Sequence, residues 1–127
     1  MNKDRATTTT RPAAHWTMEF PAAITVCDAE GRVLELNDLA AANYAQEGGR
    51  ELIGHSIFDC HPAPAREKLR QLMAERRSNA YTIEKGDLHK FIYQAPWFSG
   101  GDYRGFVEIS IEIPGTLPHF VRAGPAS

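Results

Sequence analysis

Cysteine is scarce in this chain of 127 residues, which holds only Cys27 and Cys60. Two thiols supply neither a disulfide framework nor the paired cysteines of a zinc site, so both read as free thiols in a reducing compartment. A charge excess is missing too: 14 Lys and Arg stand against 16 Asp and Glu, a formal net charge of -2. Such a surface offers no field for a polyanion, which argues against nucleic acid as a partner. No uninterrupted apolar run approaches the roughly 18 residues that a membrane span needs. Residues 1–12, with Lys3, Asp4, Arg5 and the run Thr7 to Thr10, lack the apolar core of a signal peptide. The expectation is a cytoplasmic protein with no membrane partner, of one domain, without internal repeats.

Catalytic signatures are equally absent. There is no Gly-rich phosphate loop, no nucleophile elbow and no zinc protease motif, and Ser56 beside His55 does not make a triad. Asp28 and Asp38 belong to turns and caps, while Glu108 and Glu112 alternate along a strand and are expected to face solvent. No catalytic residue is assigned, and the chain is read as no enzyme. Asp59-Cys60-His61-Pro62 is the one tempting cluster, because thiolate and imidazole ligate metals and also serve as nucleophile and base. Adjacent side chains rarely converge on one point, and His15, His55, His89 and His119 show no paired spacing with His61. No metal site follows; His61 and Pro62 are read as starting the next helix.

What is present is a clear change of period. Ile24–Cys27 and Arg32–Leu36 are β-rich runs around a turn with Asp28 first and Gly31 last, the composition of a hairpin. Asn37 is a candidate cap for a helix through Tyr44 that Gly48-Gly49 breaks. A short helical turn is expected at Glu51–Ile53. From Pro64 to Arg77, Ala65, Leu69, Leu72, Met73 and Arg76 recur at helical spacing, with a charged opposite face. The last third alternates instead. Tyr81–Lys85, Leu88–Trp97 and Val107–Ile113 read as strands, the second with Phe91, Tyr93, Ala95 and Trp97 on one face and the third with Val107, Ile109, Ile111 and Ile113 buried. The fold class is α+β, an antiparallel sheet with short helices on one face.

This order of hairpin, Asn-capped helix, Leu52-Ile53-Gly54 turn, longer helix and three strands resembles the PAS domain. The segment Asp59-Cys60-His61-Pro62 before the long helix is similar to a variant found in some bacterial members. The resemblance covers about residues 21–113 and implies a five-stranded sheet in the order 2-1-5-4-3, with the last strand central. It divides the chain into a disordered tail (1–12), a flanking segment (13–20), the PAS-like domain (21–114) and a second tail (115–127).

It also implies a sensory or regulatory module that binds a small organic ligand in an inner apolar pocket and signals through a partner protein or a homodimer. Tyr44, Phe58, His61, Leu72, Phe91, Tyr93 and Trp97 are the candidates to line that pocket, or to fill it as plain core. An inward Tyr93 hydroxyl would need a partner. Trp16, Met18 and Phe20 are the candidate dimer contacts, and association without any ligand is the alternative function. The identity of a cofactor is not readable. In the best-known heme PAS domains the axial imidazole comes from the long helix, and Pro64–Arg77 contains no histidine, so heme ranks below an organic ligand or an empty pocket, with His61 or His55 as substitutes only if the local backbone turns either ring inward. Flavin photochemistry needs an Asn-Cys-Arg-Phe-Leu-Gln type motif that the surroundings of Cys60 do not match. A small enzyme of the steroid-isomerase type would begin with long helices rather than a hairpin.

Overall fold

The computed structural model describes residues 16–125. The expected 1–12 tail and residues 13–15 of the flanking segment lie outside them. Strands β1 (Ala23–Asp28) and β2 (Val33–Leu36) precede helix α1 (Asp38–Asn43) and three short 3-10 turns, Ala45–Glu47, Gly49–Leu52 and Ile57–Cys60. Helix α2 (Ala63–Glu75) then leads to β3 (Asn79–Lys85), β4 (Leu88–Ser99) and β5 (Asp102–Ile113). The sheet is antiparallel, in the order β2-β1-β5-β4-β3. The last strand is therefore central, as the resemblance implies. Among the described residues no helix is long and apolar enough to cross a membrane.

Local chemistry places each element. The β1–β2 turn closes through Gly31 N–H to the Asp28 carbonyl (2.9 Å), while Asp28 Oδ1 accepts from the amides of Glu30 and Arg32. Gly31 sits at φ +88°, where a β-carbon would lie 2.6 Å from the Phe58 ring; the glycine lets that ring pack on the turn. The expected cap is present, for Asn37 Oδ1 accepts from Ala40 N–H at 3.1 Å. The same oxygen accepts from Ile24 N–H (2.9 Å), and Nδ2 donates to the carbonyls of Thr17 (2.9 Å) and Ala22 (2.7 Å). One buried amide thus ties the lead-in, the sheet edge and α1 together. Along the outer edge of β2, the stretch around His55 gives Val33 a carbonyl and takes another from it, which covers an otherwise open strand edge.

Helix α2 begins one residue before Pro64 and buries Leu69, Leu72 and Met73. Burial of side chains this size is worth about 1.5–3 kcal/mol each. They meet Cys27, Val33, Leu36, Ala40, Ile57 and Phe106 in one core. Strand β5 begins at Asp102, earlier than alternation alone indicates, because Gly100-Gly101, both at positive φ, form a two-residue hairpin loop that pairs Ser99 with Asp102.

A candidate pocket on the inner face of the sheet

The register fixes which side of each strand meets the helices. Cys27 pairs with Phe106, and both are buried in the core, so their parity defines the inner face. On that face Thr25 stands opposite Glu108, Glu108 opposite Gln94, and Gln94 opposite Asn79. The outer face carries Ile24, Val26, Val107, Ile109, Ile111, Phe91, Tyr93, Ala95 and Trp97. The inner face mixes the polar Thr25, Gln94, Asn79 and Glu108 with the apolar Cys27, Ile92 and Phe106, whereas the outer face is apolar.

Several expectations are corrected by this register. Phe91, Tyr93 and Trp97 do share a face, but it is the face away from the helices, since the buried positions of β4 are Ile92 and Gln94. Tyr93 is 41% exposed and stacks on Phe91 with ring centroids 6.5 Å apart. Trp97 crosses β5 at Gly105, and its indole Nε1 donates to the Cys27 carbonyl at 3.0 Å. Glu108 does not face solvent on an outer surface; it turns inward. Leu72 is fully buried core rather than a pocket wall, and Phe58 lies near the surface beside α2, with the Arg70 guanidinium 4.2 Å above its ring.

Tyr44 and His61 do face an inner pocket. It is walled on one side by Tyr44, Ile57, His61 and Leu69, and on the other by Thr25, Cys27, Gln94, Phe106 and Glu108. Its volume is about 310 Å³, part of it open to solvent. Two further hollows share lining residues with it. One, beside α2, is bounded by Ala65, Lys68, Asn79 and Tyr81. The other, beneath α1, is bounded by Asn43, Lys85, Lys90 and Ser110 and also touches Thr25, Tyr44 and Glu108.

The pocket's polar groups form an ordered chain. Asn79 Nδ2 donates to Gln94 Oε1 at 3.0 Å, and Gln94 Nε2 donates to Glu108 Oε1 at 2.9 Å. His61 Nδ1 lies 2.9 Å from the Ile57 carbonyl, which only accepts, so that nitrogen carries the hydrogen. Burial pushes the Tyr44 phenol well above its ordinary range, and the carboxylate of Glu108 pushes in the same direction. The Cys60 thiol is pushed up to about 11, mainly by burial, with Glu47, Glu108 and Asp59 adding to it. Both groups are thereby held in their neutral forms near neutral pH. Among the described residues no three His, Cys, Asp or Glu side chains gather as a metal site would need.

On the lead-in side, Trp16 is 61% exposed and meets Phe20 edge-on at 5.3 Å. Met18 is held differently, its carbonyl accepting from Asp38 N–H and its sulfur lying 4.0 Å from Arg50 Nη2. Arg50 also donates to the Leu36 carbonyl and pairs with Asp38. No polar-group signal in the sequence pointed to Gln94 or Asn79; their positions opposite Glu108 exist only in the folded register.

The family model for the PAS fold matches residues 18–113. The chain belongs to the PAS family. Among solved structures this PAS domain is similar to a C-terminal domain from Streptococcus mutans, at 17% identity and a TM-score of 0.66, covering 81% of this chain and 84% of that one. The PAS domain of an HTR-like protein from Haloarcula marismortui aligns at 22% identity and 0.58, covering 87% and 97%. The PAS domain of Bordetella pertussis BvgS aligns at 22% and 0.57, covering 88% of each chain. These likenesses establish the fold. Among curated proteins, none matches this sequence.

Proposed function

We propose that this chain is a cytoplasmic sensory or regulatory PAS domain that takes a small ligand into the inner pocket and passes the change to a partner protein or a second copy through the outer sheet face. The observation that carries this reading is the two-sidedness of β4 and β5. Glu108 and Gln94 face the pocket, while Ile109 and Tyr93, their immediate neighbours in sequence, face outward. A ligand that displaces the inner side chains moves the backbone that presents the outer ones. It shifts the domain's balance of states only by its difference in affinity between them, typically about 1–3 kcal/mol. Similar domains occur in the histidine kinase ThkA and in a sensory box sensor histidine kinase from Vibrio cholerae, which supports a signalling role. Native mass spectrometry of the protein as purified from cells, set against its denatured mass, tests the reading: a retained small molecule supports it, and a bare polypeptide in every charge state argues against it.

Ligand-free association is the second reading, favoured by the apolar outer stripe and by exposed Trp16 and Phe20. Half-exposed aromatic and branched side chains in one patch are the usual anchors of an interface. Ile109→Arg and Trp16→Ala, each followed by mass in solution, separate the two candidate contact areas; a dimer that survives both substitutions, or a monomeric wild type, removes this reading.

A further inference from the structure

The pocket's charges are sorted along its length and, among the described residues, left unpaired. Glu108 is half-buried, its one hydrogen-bond donor is Gln94, and no Lys or Arg nitrogen lies within 4 Å of it. Its second oxygen accepts nothing. In the compartment beneath α1, Lys85 and Lys90 likewise lack a carboxylate within that distance. The register explains why these opposite charges do not neutralise each other. Glu108 is opposite Gln94, while Lys90 lies four residues further along β4, opposite Glu112, a separation of roughly 13 Å along the strands. Extended side chains shorten that gap without closing it. A half-buried carboxylate with no countercharge beside it is a ready partner for the cationic end of a ligand.

We propose that the pocket takes a short zwitterion of the amino-acid class, its ammonium at Glu108 and its carboxylate at Lys85 and Lys90. This rests on the ligand-binding reading above and names its substrate class. Glu108 and Thr25 also line the wider compartment beneath α1, where the free oxygen of Glu108 and the Thr25 hydroxyl offer acceptors to an ammonium group. Asn79 fixes the amide of Gln94 so that its NH2 rather than its oxygen points to Glu108, which orients the carboxylate. The compartment beneath α1, about 600 Å³ including its open mouth, has Glu108 and both lysines in its wall, so a short carbon chain can run from the carboxylate toward the ammonium groups.

The test is titration calorimetry at fixed ionic strength with glycine, 3-aminopropanoate, 4-aminobutanoate and 5-aminopentanoate, beside butylammonium and butanoate, which each carry one end. At least one zwitterion is expected to bind tenfold or more tighter than either single-ended analogue. Glu108→Gln, which keeps the shape and the Gln94 bond, and Lys90→Met should each weaken it at least tenfold, with circular dichroism confirming the fold. A single-ended analogue binding within threefold of the best zwitterion, or an unchanged affinity in Glu108→Gln, overturns the zwitterion assignment while leaving pocket binding intact. No heat from any of the six ligands also overturns it; whether the pocket reading falls as well is then decided by the native mass comparison, where another retained molecule keeps that reading and none removes it.

Discussion

Gln94 donates its side-chain amide to Glu108 at 2.9 Å across the β4–β5 ladder, on the face of the sheet that looks toward the helices. A charge-assisted bond of this kind is worth about 1.5–3 kcal/mol when well shielded, and partial solvent access lowers that figure.

A double-mutant cycle of Gln94→Ala and Glu108→Ala is therefore expected to give a coupling energy of about 1 kcal/mol, read from urea unfolding midpoints. Additive single effects, within about 0.3 kcal/mol, would mean the bond is not made in solution.

Asn37 uses both lone-pair directions of Oδ1 and both hydrogens of Nδ2. Asn37→Ala should cost about 2–4 kcal/mol, more than loss of a cap alone, because buried amides and carbonyls lose their partners together. Asn37→Asp keeps the cap oxygen but sets a carboxylate against two carbonyls. It should be nearly as damaging, whereas a cap-only role predicts a near-neutral Asp variant. Denaturant melts of the two variants distinguish these outcomes.

Gly105 has φ +152°, and a β-carbon there would lie 2.0 Å from the Cys27 carbonyl oxygen, the oxygen that accepts the Trp97 indole hydrogen. Gly105→Ala is expected to destabilise the fold by about 3 kcal/mol or more, through clash with a backbone that cannot yield. Its Trp97 fluorescence should shift to the red as the ring loses its seat. Trp97→Phe, which removes the donor and shrinks the ring while leaving the backbone in place, should cost less, about 1–2 kcal/mol.

Alkali should loosen the domain before acid does. Burial raises the Cys27 and Cys60 thiols from their ordinary value of 9.0 to about 11, and raises the Tyr44 phenol further. The unfolded chain releases these protons first, so the native state holds more protons and stability falls as pH climbs from 9 toward 11. Below pH 9 this contribution is fully present. Urea midpoints measured at pH 7.5, 9 and 10.5 should be flat and then drop, and Cys60→Ser should soften the drop. At pH 8 roughly 0.1% of a thiol with so high a pKa is thiolate, so iodoacetamide should label Cys60 far more slowly than a free thiol in solution. Fast labelling at pH 8 would contradict the buried setting.

The element order, the hairpin at Asp28–Gly31, the cap at Asn37 and the α2 core residues were readable from spacing and turn chemistry, while the central place of β5 came only from the family resemblance. Such features are local: a cap needs one side chain and the next turn, and a helix face needs only its own repeat. The side of the sheet was not readable. Alternation in Val107 to Ile113 says that apolar and polar residues part company, but not which set the helices cover. The usual rule of grease inward assigned Phe91, Tyr93 and Trp97 to the pocket. The position of Phe106 beside Cys27 overrides that rule, because the parity of a whole strand follows from any one residue fixed in the core. The pocket's Gln94 and Asn79 stayed hidden for the same reason: polar residues in a strand look solvated until a partner strand brings Glu108 opposite.

The amide of Asn37 reaches back to the carbonyl of Thr17, and Met18 and Arg50 fasten the same short stretch to α1. Anyone trimming the gene to a minimal fragment at Pro21, where the first strand seems about to begin, would cut through a mooring line. Shortened proteins that start after Phe20 should come out of expression trials in poorer yield than those that keep Trp16 onward.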